Sequence, residues 1–157
     1  VTGVQTCALP ILKLGYDFPA GKYIDQLALN SGYNGSKHLT KIKNDDGWFN
    51  LSGTEYQVLK AIELSGTEVA AELMERVSTL LFDVSKYLAD KYDVKKIYMA
   101  GGVASSTYFR IKIRELMHEN SSFTINFGNP ELSGDNAVGI ALLGGKALNE
   151  SIFNNTI

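Results

Sequence analysis

The stretch that decides the fold is KKIYMAGGVASS, residues 95–106. An apolar run, Ile97-Tyr98-Met99-Ala100, leads into two adjacent glycines, and small residues typical of a helix start follow. The pattern predicts a short buried strand from Lys95 to Ala100, then a tight turn, then a helix. Such a turn can present backbone N–H groups and a helix N-terminus to a phosphate or nucleotide. The alternative interpretation, that Gly101-Gly102 only forms a tight strand-to-helix turn, is equally open at this point.

The elements on either side of this stretch predict an α/β fold. Between residues 67 and 148 the expected order is α-β-α-β-α, which is typical of parallel strands covered by helices. The longest helix carries an apolar stripe at helical spacing, which is most simply part of a core. Ser52 with Glu55, and Ser65 with Glu68, fit capping boxes at two helix starts. Helices are expected over about 22–30, 54–62, 67–91, 105–117 and 133–148, strands over 95–100 and 123–127, and the stripe is Leu73, Val77, Leu80, Leu81, Val84 and Leu88.

Residues 37–52 predict a β-hairpin around the turn signal Asp45-Asp46-Gly47. The two carboxylates could serve in acid/base chemistry, but a solvated turn is the better interpretation because Asp is a standard turn residue. His38 and His118 lack ligand-spaced partners and are expected at the surface. A small basic cluster is expected to be a solvated edge, with contact to RNA phosphate as the alternative; it consists of Lys37, Lys41 and Lys43.

The composition is that of an ordinary globular domain. The chain has 157 residues, of which 45% are hydrophobic and 20% charged, and its formal net charge is -2. No global positive field indicates a nucleic-acid-binding protein. No apolar run approaches the roughly 20 residues that span a bilayer, and no secretory signal is present, so we expect a cytoplasmic protein without a membrane partner.

The first eleven residues require a separate interpretation. Residues 1–11, VTGVQTCALPI, resemble a translated sequencing-library adapter, so we expect them to be an artefact that forms no domain. The only cysteine, Cys7, belongs to this segment. We expect the functional domain to cover residues 12–148 and a polar tail to cover 149–157. The native reading frame is expected to extend upstream of Leu12.

Two further stretches contain candidate ligand-binding residues. Gly21 lies in a turn and Asp25 follows one helical turn later, where its carboxylate can accept hydrogen bonds from ribose hydroxyls. Asp135 stands at an expected helix start, where it is ordinarily a cap but can also be a hard oxygen ligand for a divalent metal. Two strand-to-helix junctions would both point at the carboxyl edge of one sheet, which is where ligands bind in open α/β folds. For Gly21 with Asp25, and for Asp135, the purely structural interpretation stays open.

Four stretches, in order and at compatible spacing, resemble one known family. FPAGKYID (18–25) is similar to that family's Y-P-G-G-P-x-I-D, and FNLSG (49–53) to its F-S-F-S-G. MAGGVASS (99–106), followed by Arg110, resembles A-G-G-V-x-A-N-x-x-L-R, and SGDNAVGIA (133–141) resembles C-x-D-N-x-A-M-I-A. On these residues the sequence is identified as a member of the TsaD/Gcp family, formerly known as O-sialoglycoprotein endopeptidases, and the resemblance covers about residues 12–148.

The resemblance implies part of an actin-like ATPase fold, of the sugar kinase and actin class. It implies an acyltransferase that moves a threonylcarbamoyl group from its adenylate to adenosine 37 of tRNAs that read ANN codons. Gly21 and Asp25 would contact the adenylate, Gly101 and Gly102 would lie along it, and Asp135 would bind one divalent metal ion (iron, zinc or magnesium). Implied partners are threonylcarbamoyl-adenylate or an adenine nucleotide, tRNA, and proteins of a tRNA-modification complex.

The sequence departs from the family pattern at three points. Ser106 stands where the family has an adenylate-contacting Asn, and Leu51 replaces an aromatic residue, which suggests a divergent paralogue. The N-terminal half, with a His pair that completes the metal site, is not in this sequence, so the fragment itself is expected to be inactive. The alternatives are a non-catalytic, nucleotide-binding paralogue and, less well supported because no zinc-protease motif is present, a metallopeptidase.

Overall fold

The computed structural model describes residues 21–35, 38–63, 65–119, 122–133 and 143–146. Helices and two small sheets alternate, so the α/β class is confirmed. Residues 143–146 are helical, Ser133 follows the 3-10 turn Pro130–Leu132, and residues 134–142 and 147–148 of the helix expected over 133–148 lie outside the described residues. The elements are α1 (Gly21–Leu29), β1 (Asn44–Asp45), β2 (Trp48–Phe49), α2 (Ser52–Ala61), α3 (Gly66–Tyr92), β3 (Lys96–Met99), a 3-10 turn (Val103–Ser105), α4 (Thr107–Glu119), β4 (Thr124–Phe127) and a second 3-10 turn (Pro130–Leu132).

Helix α3 is the centre of the core, and α1 and α4 both pack against it. The predicted apolar stripe is partly wrong, because Leu88 is 40% exposed while Phe82 and Ala89 are buried. Ser78 and Ser85 can lie on the buried face because their hydroxyls donate to the Met74 and Leu81 carbonyls at 2.6 and 2.7 Å. The buried face therefore follows the positions of α1 and α4 around α3 and not hydrophobicity alone.

Both predicted capping boxes are wrong in their hydrogen bonds, although both helices begin close to the predicted positions. The residue before α2 is Leu51, which makes no side-chain cap bond, and the Ser52 N–H donates to the Asn50 side chain at 2.8 Å. Ser65 does precede α3, also without a side-chain cap bond. Glu68 instead lies 3.4 Å from the His38 ring. A tertiary partner has replaced the local one.

Strands β3 and β4 pair in parallel, in the register Ile97–Ile125 and Met99–Phe127, with α4 as the crossover. These four residues pack against the core, whereas Tyr98 on the opposite face is 76% exposed. The expectation of a fully buried strand is therefore wrong. In the part of the chain that the structure describes, the core covers only one face of this sheet.

The predicted hairpin is confirmed, with strands β1 and β2 shorter than expected. Asp46 and Gly47 both have positive φ, +50° and +89°, as a two-residue hairpin turn that follows the sheet twist requires. The Asn44 side chain accepts the Gly47 N–H at 2.9 Å, and Asp45 is exposed, as expected for a solvated turn. Among the described helices, none combines the length and apolar character needed to cross a bilayer.

Candidate nucleotide site

The glycine turn that follows β3 borders open space. Gly101 has φ +107°, a conformation that residues with a side chain rarely adopt, whereas Gly102 has helical angles of -58° and -45°. A Cβ added at either position would meet no other atom within 4 Å. The fold therefore requires glycine at 101 for its backbone conformation, but not at 102.

The start of α4 is capped by two side chains, one of which comes from α1. The Asp25 carboxylate accepts the Ser106 hydroxyl at 2.6 Å and the Thr107 and Tyr108 N–H groups at 3.0 and 2.9 Å. The Ser106 hydroxyl in turn accepts the Phe109 N–H at 3.1 Å. The first three N–H groups of α4 are thereby satisfied within the protein, and a phosphate cannot take them without displacing Asp25.

These bonds define what the corner formed by Asp25 and Ser106 can offer a ligand. A carboxylate has about four acceptor positions, and Asp25 uses three, two on Oδ1 and one on Oδ2. Ser106 has donated its proton, and of its two lone pairs one remains. Both residues can therefore only accept. The corner suits hydrogen-bond donors such as ribose hydroxyls, and a phosphate has to lie elsewhere.

The end of β4 leads to the same edge of the sheet. The Gly128 N–H donates to the Met99 carbonyl at 2.9 Å, so the two strands separate only after this bond. A Cβ at Gly128 would lie 3.1 Å from the Ser133 Oγ, so the loop folds tightly back on itself. Asn129 caps the following 3-10 turn by accepting the Glu131 N–H at 3.0 Å, and Pro130 ends the strand as predicted.

Of the predicted site residues, the structure brings together Asp25 and Ser106. Gly101 and Gly102 precede Ser106 in the chain and are separated from it by the 3-10 turn Val103–Ser105. Gly21 is exposed at the first position of α1, with open space around it. Asp135 lies outside the described residues. Within the described ranges, no group of three His, Cys, Asp or Glu could hold a metal ion, so the described residues by themselves do not fit the implied metal.

A second polar cluster, which the sequence did not reveal, lies between the end of α1, α3 and α4. It borders a cavity of about 230 Å³. Lys112 Nζ lies 2.9 Å from Glu75 Oε1, and the Tyr108 hydroxyl is 3.5 Å from the other oxygen of that carboxylate. Burial, and then the neighbouring Glu75 charge, raise the pKa of Tyr108 to about 12, so this phenol stays a donor. Glu75 and Tyr108 are 33 positions apart, and no local pattern connects them.

Glu72 is fully buried on α3 and is another residue that sequence reasoning missed as important. It accepts the His38 N–H at 2.7 Å and pairs with Arg76 at 2.9 Å, so it fixes the loop around residue 38 to the core. His38 is only half-buried, while His118, Lys41 and Lys43 are exposed, in line with surface positions. Lys37 lies outside the described residues.

Comparisons with known proteins identify relatives of this chain. Residues 8–142 match the profile of a family described as tRNA N6-adenosine threonylcarbamoyltransferase. Similar proteins of that name come from Mycoplasmopsis synoviae (32% identity, 71% of this chain and 37% of the relative), Buchnera aphidicola (30%, 83% and 40%) and Bacillus cereus (27%, 83% and 40%). The chain thus spans about 40% of the length of these relatives.

Proposed function

The chain belongs to the family of tRNA N6-adenosine threonylcarbamoyltransferases, and on this basis we propose that the complete protein transfers threonylcarbamoyl from its adenylate to adenosine 37 of tRNA. The described residues would form part of an actin-like ATPase fold. They would supply one wall of the adenylate site, and the part of the relatives that this chain does not span would supply the rest.

The observation that carries this proposal is the 2.6 Å hydrogen bond from Ser106 to Asp25. These residues lie 81 positions apart and belong to two different stretches that resemble nucleotide-contacting motifs of the family. Their contact puts the middle of α1 beside the start of α4, the helix that follows the glycine turn. Two stretches that the resemblance assigns to one ligand thus meet in the described structure, as a shared ligand site requires.

In this proposal the protein positions the adenylate and stabilises it through hydrogen bonds. The ribose hydroxyls would donate to the free acceptor positions of Asp25 and Ser106, and the backbone of Gly101 and Gly102 would lie along the nucleotide. Because the N–H groups of α4 are already bonded, the phosphate would lie away from that helix start. Holding the mixed anhydride in place while the adenine amine attacks would lower the barrier mainly through orientation.

The metal and the macromolecular partners belong to the same proposal. Asp135 would supply one carboxylate to a divalent ion, and histidines from outside this chain would complete the set. When bound, the ion would neutralise phosphate charge. tRNA and proteins of a modification complex would be the partners.

Ser106 also favours a second candidate, a paralogue that binds nucleotide without transferring to tRNA. Its only proton is committed to Asp25, whereas the Asn that the family has at this position would offer both a donor and an acceptor. The ligand contact at this position is therefore reduced to one acceptor. Such a protein would bind adenine nucleotide through its remaining contacts and leave tRNA unmodified.

The decisive experiment uses Gly102→Ala in the complete gene product, with Gly53→Ala as the matched control. Both glycines lie in helical backbone facing open space, so a methyl group is tolerated by the fold at both positions. If a nucleotide lies along residue 102, the added methyl will reduce its affinity at least tenfold by calorimetry. The melting temperature should stay unchanged or rise slightly.

Equal nucleotide affinity in the two variants would overturn the assignment of this turn to the site. Wild-type protein that binds nucleotide but forms no threonylcarbamoyladenosine on tRNA would select the paralogue. The transferase would be supported if wild-type protein forms the modified nucleoside, detected in digested tRNA, and Gly102→Ala forms less of it in proportion to its lower nucleotide affinity.

A further inference from the structure

Arg110, near the start of α4, connects the two strand-to-loop junctions at the edge of the sheet. Its Nε–H donates to the Ala104 carbonyl at 2.6 Å, and its Nη2 donates to the Gly128 carbonyl at 2.7 Å. Ala104 is the middle residue of the 3-10 turn that follows Gly101-Gly102, and Gly128 begins the loop after β4. One side chain thus bonds to both loops.

The guanidinium is held in its plane by a third contact. Its central carbon lies 4.9 Å from the centre of the Phe127 ring, and that ring packs edge-on against Phe109 at 6.0 Å between centroids. Phe109 is fully buried in the core. The Arg110 guanidinium therefore lies against the Phe127 ring, which Phe109 supports in turn, at a distance where cation–π attraction is significant.

The contacts use properties that only arginine has. Nε–H and Nη2–H lie along one edge of the planar guanidinium, so their two directions are fixed relative to each other. Two carbonyls bound to this edge are held at one separation. A lysine keeps the charge, but its single rotatable ammonium cannot impose that separation.

We propose that Arg110 is a positioning residue of the transfer reaction: it holds the Gly101-Gly102 turn and the loop from Gly128 to Ser133 at the spacing that the bound adenylate needs. The inference rests on the proposed function above. The loop from Gly128 leads in sequence towards Asp135, so the same bond would set where the second wall of the site begins. Misplacement of such a wall by about 1 Å can cost on the order of a hundredfold in rate.

The test compares Arg110→Lys with Arg114→Lys in the complete gene product. Arg114 is exposed one helical turn further along α4, so its replacement makes the same chemical change without touching either loop. Three quantities are measured: amide hydrogen exchange, adenine nucleotide affinity, and the kcat and KM of tRNA modification. Phe127→Leu, which removes the aromatic support and keeps both hydrogen bonds, is the second variant.

Arg110→Lys should speed amide exchange at residues 101–106 and 128–133, but not in α3. It should weaken nucleotide affinity at least tenfold and lower kcat/KM further. Arg114→Lys should stay within twofold of wild type, and Phe127→Leu should shift in the same direction as Arg110→Lys by a smaller factor. Faster exchange with unchanged affinity and kinetics would reduce Arg110 to a structural role and overturn the inference.

Unchanged exchange in both loops would overturn it as well. These results differ from failure of the proposed function, which would show as wild-type protein that binds no adenine nucleotide. In that case the inference fails with it, whatever the exchange rates are.

Discussion

Replacement of Asp25 is the strongest test of how α1 and α4 are joined. Asp25→Ala removes the acceptor for two N–H groups at the start of α4 and for the Ser106 hydroxyl. Asp25→Asn keeps the shape and one acceptor oxygen, but loses the charge and places an amide group opposite the Thr107 N–H. We expect both changes to destabilise the protein, alanine more than asparagine.

The magnitude follows from the three bonds. Loss of a helix N-cap side chain costs about 1 kcal/mol, and loss of a negative charge beside the helix N-terminus costs about 0.3–1 kcal/mol. The Ser106 hydroxyl loses a bond to a charged acceptor, for which about 1.5 kcal/mol is a lower estimate. Because Thr107 is exposed and water replaces part of what is lost, we expect about 3 kcal/mol for alanine and about half of that for asparagine.

The assay is urea unfolding followed by circular dichroism, with the free energy of unfolding obtained by linear extrapolation. Asp90→Ala is the control, because Asp90 is exposed on α3 and its loss should cost less than about 0.5 kcal/mol. A double-mutant cycle of Asp25→Asn with Ser106→Ala should show coupling of about 1 kcal/mol. Equal stabilities of the Asp25 and Asp90 variants would refute the capping role.

Four further outcomes are expected. Gly101→Ala should destabilise the protein by about 1–2 kcal/mol because its φ is +107°, whereas unfolding curves that overlay wild type would contradict the strained turn. Glu72→Ala should cost about 3 kcal/mol, since Arg76 loses its carboxylate partner and the His38 N–H loses its acceptor; a change in urea midpoint no larger than that of Asp90→Ala would argue against this. Ile113→Val should cost about 1 kcal/mol in the same assay, as for any fully buried methyl group. The pKa of Tyr108 in the folded state is raised to about 12, so its stabilising contribution is complete below about pH 10 and is lost as pH rises towards 12. Difference absorbance of tyrosinate should detect one late-titrating phenol in the wild-type protein that is missing from Tyr108→Phe.

Local signals in the sequence were sufficient for the elements. The apolar periodicity placed α3 within one residue of its observed ends. The Asp-Gly turn predicted the hairpin, because two consecutive positive φ values leave little choice of residue. Asn129-Pro130 marked the end of β4, since proline cannot donate a ladder hydrogen bond. Each of these features depends on chemistry within a few positions of the chain.

The same local logic failed where a distant partner competes. The capping box at Ser65 had the right residue spacing, yet Glu68 approaches His38, 30 positions away. The box at Ser52 failed for a local reason instead, because the Asn50 side chain accepts the Ser52 N–H. The composition of β3 predicts a fully buried strand, but burial depends on what covers each face, and Tyr98 faces solvent in the described part of the chain. The role of Glu72 as a buried anchor had no local signal at all.

The sequence by itself determined the α/β class, the family and the glycine turn after β3, because these features depend on short motifs and on periodicities of apolar residues. Only the tertiary structure decided what the residues of that turn do. It joined Asp25 to Ser106 across 81 positions and gave the first N–H groups of α4 to these two side chains. It also put Arg110 between two loops. The physical reason is that a hydrogen bond is satisfied by whichever partner packing brings within about 3 Å, and packing is a property of the whole chain.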